Sequence, residues 1–214
     1  MKKDAYFSAE TIAVTSRDML AVFPRREGAP RFEPQRAALL VLDMQAYFLD
    51  SASHAFVPSA RAILPNIQEL LCAFTRWGRP VIFTRHTNTL ANAGALARWW
   101  RDLLAPDSPA SAILPDLDTT SAVIIEKHQY DAFYQTELEQ ILRAADVQQV
   151  VVTGVMTHLC CETTARSAFV RGFDVFFVVD GTATYTENFH RAALLNLAHG
   201  FAVPVLTGEI LGGI

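Results

Sequence analysis

Cysteine is scarce in this 214-residue chain: Cys72, Cys160 and Cys161 are the only three. An odd set with two adjacent members gives no disulfide framework, so all three read as thiols. Charge of one sign is also lacking, because 18 Lys and Arg against 22 Asp and Glu leave a net charge of −4. With no dense basic run, neither nucleic acid nor a membrane surface is expected as a partner. No apolar run reaches membrane-spanning length, and the opening MKKDAYFSAETIAVTSRDML has no signal-like apolar stretch, so a cytoplasmic location is expected. Three glycine-dependent motifs are missing as well. There is no GxGxxG for a dinucleotide, no GxSxG nucleophile elbow and no GxxxxGKS phosphate loop, and bulky DMQAYF follows the first strand candidate.

What is present is apolar and periodic. Hydrophobic residues make up 51% of the chain, enough for a sizeable core. Short β-branched runs recur at 37–42, 80–84, 122–125, 150–153, 175–179 and 202–206. Helical spacing fills 59–76, 137–144, 160–171 and 188–199 between them. Strand followed by helix, repeated, predicts a parallel sheet, and runs such as AALLVL and VIIE suit a sheet covered on both faces. The expected fold is a three-layer α/β/α sandwich over residues 36–214. Residues 1–35, with GAP and FEP turn signals and no clear strand, read as an arm laid on the surface or on a neighbouring subunit. The insertion 85–120 holds one helix candidate at 95–104 and then the Pro-rich APDSPASAILPD, the pattern of a binding lid.

Doubly wound sheets bind ligands beyond the carboxyl ends of their strands. Asp43 follows the first strand, Lys127 follows the third, and GVMTHLCCETTA follows the fourth. Taken singly, Asp43 reads as a turn or cap, Lys127 as a solvated lysine and Cys160 as a small buried hydrophobe. Taken together they place an acid, a base and a thiol on one edge. Cys160 falls where a helix should start, and the helix amino terminus together with Lys127 would stabilise its thiolate. Cys161 and Cys72 read as packing residues, and Trp99, Trp100, Tyr130 and Phe133 as core that could wall an apolar pocket.

The segments FEPQRAALLVLDMQAYF, VIFTRH, EKHQYDAFYQTELEQIL and VVVTGVMTHLCCETTARSAFVRGFDVFFVVDGTAT resemble the isochorismatase-like hydrolases. Within them the chain is similar to the cysteine hydrolase branch, which contains nicotinamidases and N-carbamoylsarcosine amidohydrolases. The resemblance runs from about Phe32 to the carboxyl end. It implies a six-stranded parallel sheet of order 3-2-1-4-5-6, a catalytic Asp43, Lys127 and Cys160, and an oxyanion hole from the N–H groups of Met156 and Cys160 beside a cis peptide before Met156. It implies C–N cleavage of an amide, carbamoyl or ureide substrate through a Cys160 thiolate and an acyl-enzyme.

Two departures from the branch bear on chemistry. Nicotinamidases hold a metal with Asp and His after the second strand, whereas TRHTNTLAN here lacks that pattern, so neither metal nor other cofactor is expected. His158 stands where most cysteine hydrolases have Asp, as it does in isochorismatases, which carry Gly at the position of Cys160. A vinyl ether hydrolase and a non-catalytic binding protein are therefore the alternative readings. Arg85, His86, Tyr130, Thr157 and His158 are the candidate substrate contacts. The expected partners are a small-molecule substrate and further copies of the chain, as a homodimer or homotetramer.

Overall fold

The computed structural model describes residues 2–24 and 26–212. Six strands form the sheet: β1 (Ala37–Leu42), β2 (Val81–His86), β3 (Val123–Lys127), β4 (Gln149–Val155), β5 (Asp174–Ala183) and β6 (Val203–Val205). Eight α-helices accompany them: α1 (Ile12–Ala21), α2 (Ala46–Leu49), α3 (Leu64–Arg76), α4 (Leu96–Trp99), α5 (Leu138–Ala144), α6 (Glu162–Val170), α7 (Glu187–Gly200) and α8 (Thr207–Gly212). The order is β3-β2-β1-β4-β5-β6 and every pairing is parallel, so the expected doubly wound sandwich is the observed fold.

Burial explains the order of the strands. All of β1 and all of β4 are buried, and these two apolar strands pair at the centre from Ala37↔Gln149 to Leu42↔Gly154. Strand order reverses between them, and right-handed crossovers carry the following helices to opposite faces. Helices α3 and α8 pack together on one face, and α6 packs with α7 on the other. The edge strand β3 departs from the expected two-sided cover: Val123 and Ile124 stand 42% and 50% exposed, because an edge strand has one neighbour and thinner helical cover.

Gly154 is the position where the two central strands meet most closely. Its φ is +106°, and a Cβ there would lie 2.1 Å from the Leu42 carbonyl oxygen, so only glycine fits. One residue further, the Val155–Met156 peptide is cis, as the resemblance implies.

The amino-terminal segment differs from its expectation. It carries α1, and Tyr6, Phe7, Ile12, Met19 and Phe32 belong to the hydrophobic core of their own chain. Its first residues are tied down too: Lys3 Nζ donates to the carbonyls of His54 (2.6 Å) and Phe56 (2.7 Å) and sits over the Tyr185 ring, and the Asp4 N–H donates to the Tyr185 carbonyl. The expected helix at 95–104 shrinks to α4. After Trp99 the chain runs extended, and the Leu104 carbonyl accepts from the Asn88 N–H at 2.6 Å, a tertiary bond that overrides helical spacing.

Candidate active site

Asp43, Lys127 and Cys160 meet at the carboxyl edge of the sheet. Asp43 leaves β1 with φ +52°, a left-handed conformation that Asp tolerates better than most residues. Thr84, on β2, holds it in place: the Thr84 hydroxyl accepts from the Asp43 N–H (3.1 Å) and donates to Asp43 Oδ1 (2.6 Å). Lys127 Nζ lies 2.8 Å from Asp43 Oδ2 and 3.4 Å from Cys160 Sγ, and it donates to the Gln129 carbonyl at 2.9 Å. The Asp43 carboxylate lies close enough to Cys160 for each to shift the titration of the other. The Asp43 and Lys127 side chains are wholly buried, so the pair is unscreened by water.

Charge is distributed unevenly among the three. Burial alone would raise the Asp43 pKa, but Lys127, then His86 and Cys160, outweigh it and hold the carboxyl below its usual range. Burial opposes the Lys127 charge, yet Asp43 and Cys160 more than compensate and keep the ammonium above its ordinary value. For Cys160 the sign is the reverse of the sequence expectation. Burial first, then the Asp43 charge, push the thiol well above its ordinary value, and Lys127 opposes this only in part. The resting trio is carboxylate, ammonium and thiol, with no net charge. A single turn of π-helix, Thr157–Cys161, precedes α6 and carries the sulfur into this buried setting rather than to an exposed helix terminus.

Cys160 lines a cleft. Its aromatic walls are Tyr47, Phe48, Trp100, Tyr130 and Tyr185, and Leu96, Leu103 and Leu104 of the insertion add apolar surface. The polar lining consists of His54, His86, Asn88 and Asp102, and the lining contains neither lysine nor arginine. A larger groove of about 440 Å³ lies between Leu20, Phe23 and β6, remote from the trio.

The structure separates the predicted substrate contacts. His86 and Tyr130 line the cleft beside Cys160, as does Met156 of the expected oxyanion hole. Burial, then the Lys127 charge, push His86 down to about 4, so its ring is neutral. Arg85, Thr157 and His158 are not among the lining residues. Arg85 turns to Glu126 (3.3 Å) and to the Pro106 carbonyl and Ser111, and thereby pins the insertion to β2. Thr157 is buried in the π-turn. His158 bonds Thr184 Oγ1 at 2.6 Å and stacks on Phe189 at 4.4 Å, so it braces the turn. Of the two tryptophans read as core, Trp100 walls the cleft and Trp99 is 77% exposed.

Two supporting residues went unread in the sequence. Thr84 is the polar end of the buried run VIFT, a signal available but easily taken for β-branched filler. Gln45 accepts from the His86 N–H and donates to the carbonyls of His86 and Ser111, which locks the ends of β1, β2 and the insertion together.

The sequence model of the family described as Isochorismatase domain matches residues 37–209. The chain belongs to the isochorismatase family. Among relatives in this family it is 42% identical over 171 residues to Nicotinamidase 3 of Arabidopsis thaliana, covering 78% of this chain and 82% of that protein. It is 32% identical over 186 residues to Enterobactin synthase component B of Escherichia coli, covering 84% of this chain and 64% of that protein. A cysteine hydrolase from Pseudomonas syringae shares the fold with a TM-score of 0.81 at 27% identity, covering 86% of this chain and 97% of that one. N-carbamoylsarcosine amidase from Thermoplasma acidophilum shares the fold with a TM-score of 0.71 at 24% identity, covering 81% and 98%. The likenesses to Nicotinamidase 3 and to the cysteine hydrolase set the chain in the cysteine hydrolase branch of the isochorismatase family.

The metal that the resemblance attaches to nicotinamidases does not fit the side chains here. Among the described residues no three His, Cys, Asp or Glu side chains converge to hold an ion, and the cleft histidines His54 and His86 face different partners.

Proposed function

We propose that this protein hydrolyses the C–N bond of a small, uncharged amide, carbamoyl compound or ureide. The observation that carries the reading is Cys160 Sγ on the cleft wall, in contact with the buried Lys127 and Asp43 pair. As substrate enters, the Cys160 proton passes to Asp43 and the sulfur attacks the carbonyl carbon. The displaced electron pair collects on oxygen, where the backbone N–H groups of Met156 and Cys160 are the proposed donors. Asp43 returns the proton to the departing nitrogen, and the C–N bond breaks to leave a thioester on Cys160. Water, deprotonated by Asp43, then attacks the thioester and releases the acid and the thiol. Lys127 keeps Asp43 anionic between these transfers.

An uncharged substrate follows from the lining. A cleft without lysine or arginine offers no counter-ion to a carboxylate, its one carboxylate, Asp102, is already paired with His54 and Arg101, and burying an unpaired charge is costly. Ammonia release from a panel of neutral primary amides, carbamoyl compounds and ureides is the test, with Cys160→Ala as control. Turnover in the native protein should fall at least about a thousandfold in the variant; equal rates would overturn the assignment.

The match to the family model described as Isochorismatase domain favours a second reading, in which Asp43 acts as an acid on a vinyl ether and Cys160 is incidental. Unimpaired pyruvate release from isochorismate by Cys160→Gly would support it.

A further inference from the structure

Hydrogen bonds fix the polarity of two phenols on the cleft wall. Asp102 Oδ2 lies 3.1 Å from His54 Nδ1, and a carboxylate can only accept, so the contact selects the tautomer with its proton on Nδ1. In that tautomer Nε2 is an acceptor. It lies 3.2 Å from the Tyr47 hydroxyl, which donates to it there. Burial, then the Asp102 charge, push the Tyr47 phenol up to about 12, so it keeps that proton to donate. The donated proton leaves the Tyr47 oxygen with lone pairs only for anything in the cleft.

The other phenol is set the opposite way. Trp100 Nε1–H is a donor only and bonds the Tyr130 hydroxyl, so Tyr130 accepts there and keeps its own proton free to donate. A second polar atom flanks Cys160: His86 is neutral and has Nδ1 buried with no partner among the described residues.

We propose that Tyr47 is a specificity-determining residue that accepts a hydrogen bond from a substrate N–H, held in its acceptor state by His54 and Asp102. The substrate class narrows to neutral planar amides or ureides that carry an N–H besides the scissile bond, with an acceptor on the side of Tyr130. The reading of the cleft as the amide site underlies this proposal, and the test separates the two.

Pyrrole carboxamide and furan carboxamide are close in shape and differ in a ring N–H against a ring oxygen. Their ratio of kcat/KM for ammonia release, and their ratio of Kd on the Cys160→Ala protein by calorimetry, are measured in each Tyr47 and His54 background. The ratio compares two ligands on one protein, so partial misfolding of a variant cancels. The native sequence should prefer the pyrrole about tenfold, the worth of one hydrogen bond. Tyr47→Phe should bring the ratio close to unity. His54→Leu should lower it too, because it frees the Tyr47 proton to meet the ring oxygen.

A native ratio of unity, an unchanged ratio in Tyr47→Phe, or no binding of either compound would overturn the role of Tyr47. Ammonia release without preference would leave the amidase reading standing and sink this one. Preferential binding without ammonia release would do the reverse.

Discussion

At the residue scale the site is a problem in proton placement. Three ionisable groups share a buried space at the edge of the cleft, and the arrangement is stable because only two of them are charged. The helix-terminus argument made from sequence would have stabilised the thiolate, but it counted Lys127 and left out the desolvation and the Asp43 charge. Replacing Asp43 by Asn removes that charge, so the ultraviolet absorbance of the Cys160 thiolate should appear at lower pH than in the native protein. In the native protein no such step is expected below about pH 8.5, the ordinary range for cysteine. Cys160→Ser supplies the baseline for both. Thr84 offers a second test, since its hydroxyl orients the carboxylate without reaching the cleft. Thr84→Val should lower kcat about tenfold with KM nearly unchanged, the pattern of a group that acts through the acid rather than on bound substrate.

At the scale of elements, core and arm contribute to the same packing. Phe7 is 2% exposed and meets His190 edge-on at 5.5 Å, so residues before the family domain fill the core of that domain. Phe7→Ala should cost about 3–5 kcal/mol of stability, measured by urea unfolding. A loss below about 1 kcal/mol would mean that the arm is only laid on the surface. The six strands were legible because each is a short apolar run, and β1 was read to its observed bounds since AALLVL is wholly buried. Helix α1 was not legible: its inward positions are Ile12, Ser16 and Met19, and a serine in the middle hides the apolar stripe. The trio was legible because each member sits at or beyond the carboxyl end of a strand, and the ends of parallel strands converge whatever lies between them. Tyr47, His54 and Asp102 were not, because they come from two separate segments, one of them α2 and the turn after it, whose meeting depends on the course of the insertion.

For the whole molecule, acid should loosen the fold through its buried histidines. His190 is fully buried, bonded to the Tyr6 hydroxyl at 2.8 Å, and burial and then Arg191 push its pKa down to about 3. In the unfolded chain an imidazole takes a proton near pH 6.5. Between those values the unfolded state holds the extra proton. The contribution is therefore full above about pH 6.5 and drains away as pH falls toward about 3, by up to ~1.4 kcal/mol per pH unit. His158 and His86, each depressed to about 4 with burial the largest cause, act in the same sense. Urea midpoints between about pH 7 and pH 5 should fall more steeply for the native protein than for His190→Phe; parallel slopes would assign the acid sensitivity elsewhere.

The grip of Lys3 and Asp4 reaches further than stability. These two residues hold His54 and Tyr185, both of which border the cavity beside the sulfur. The same contacts therefore brace the lining, and Lys3→Ala would alter which molecules are admitted even where the folded body stays intact.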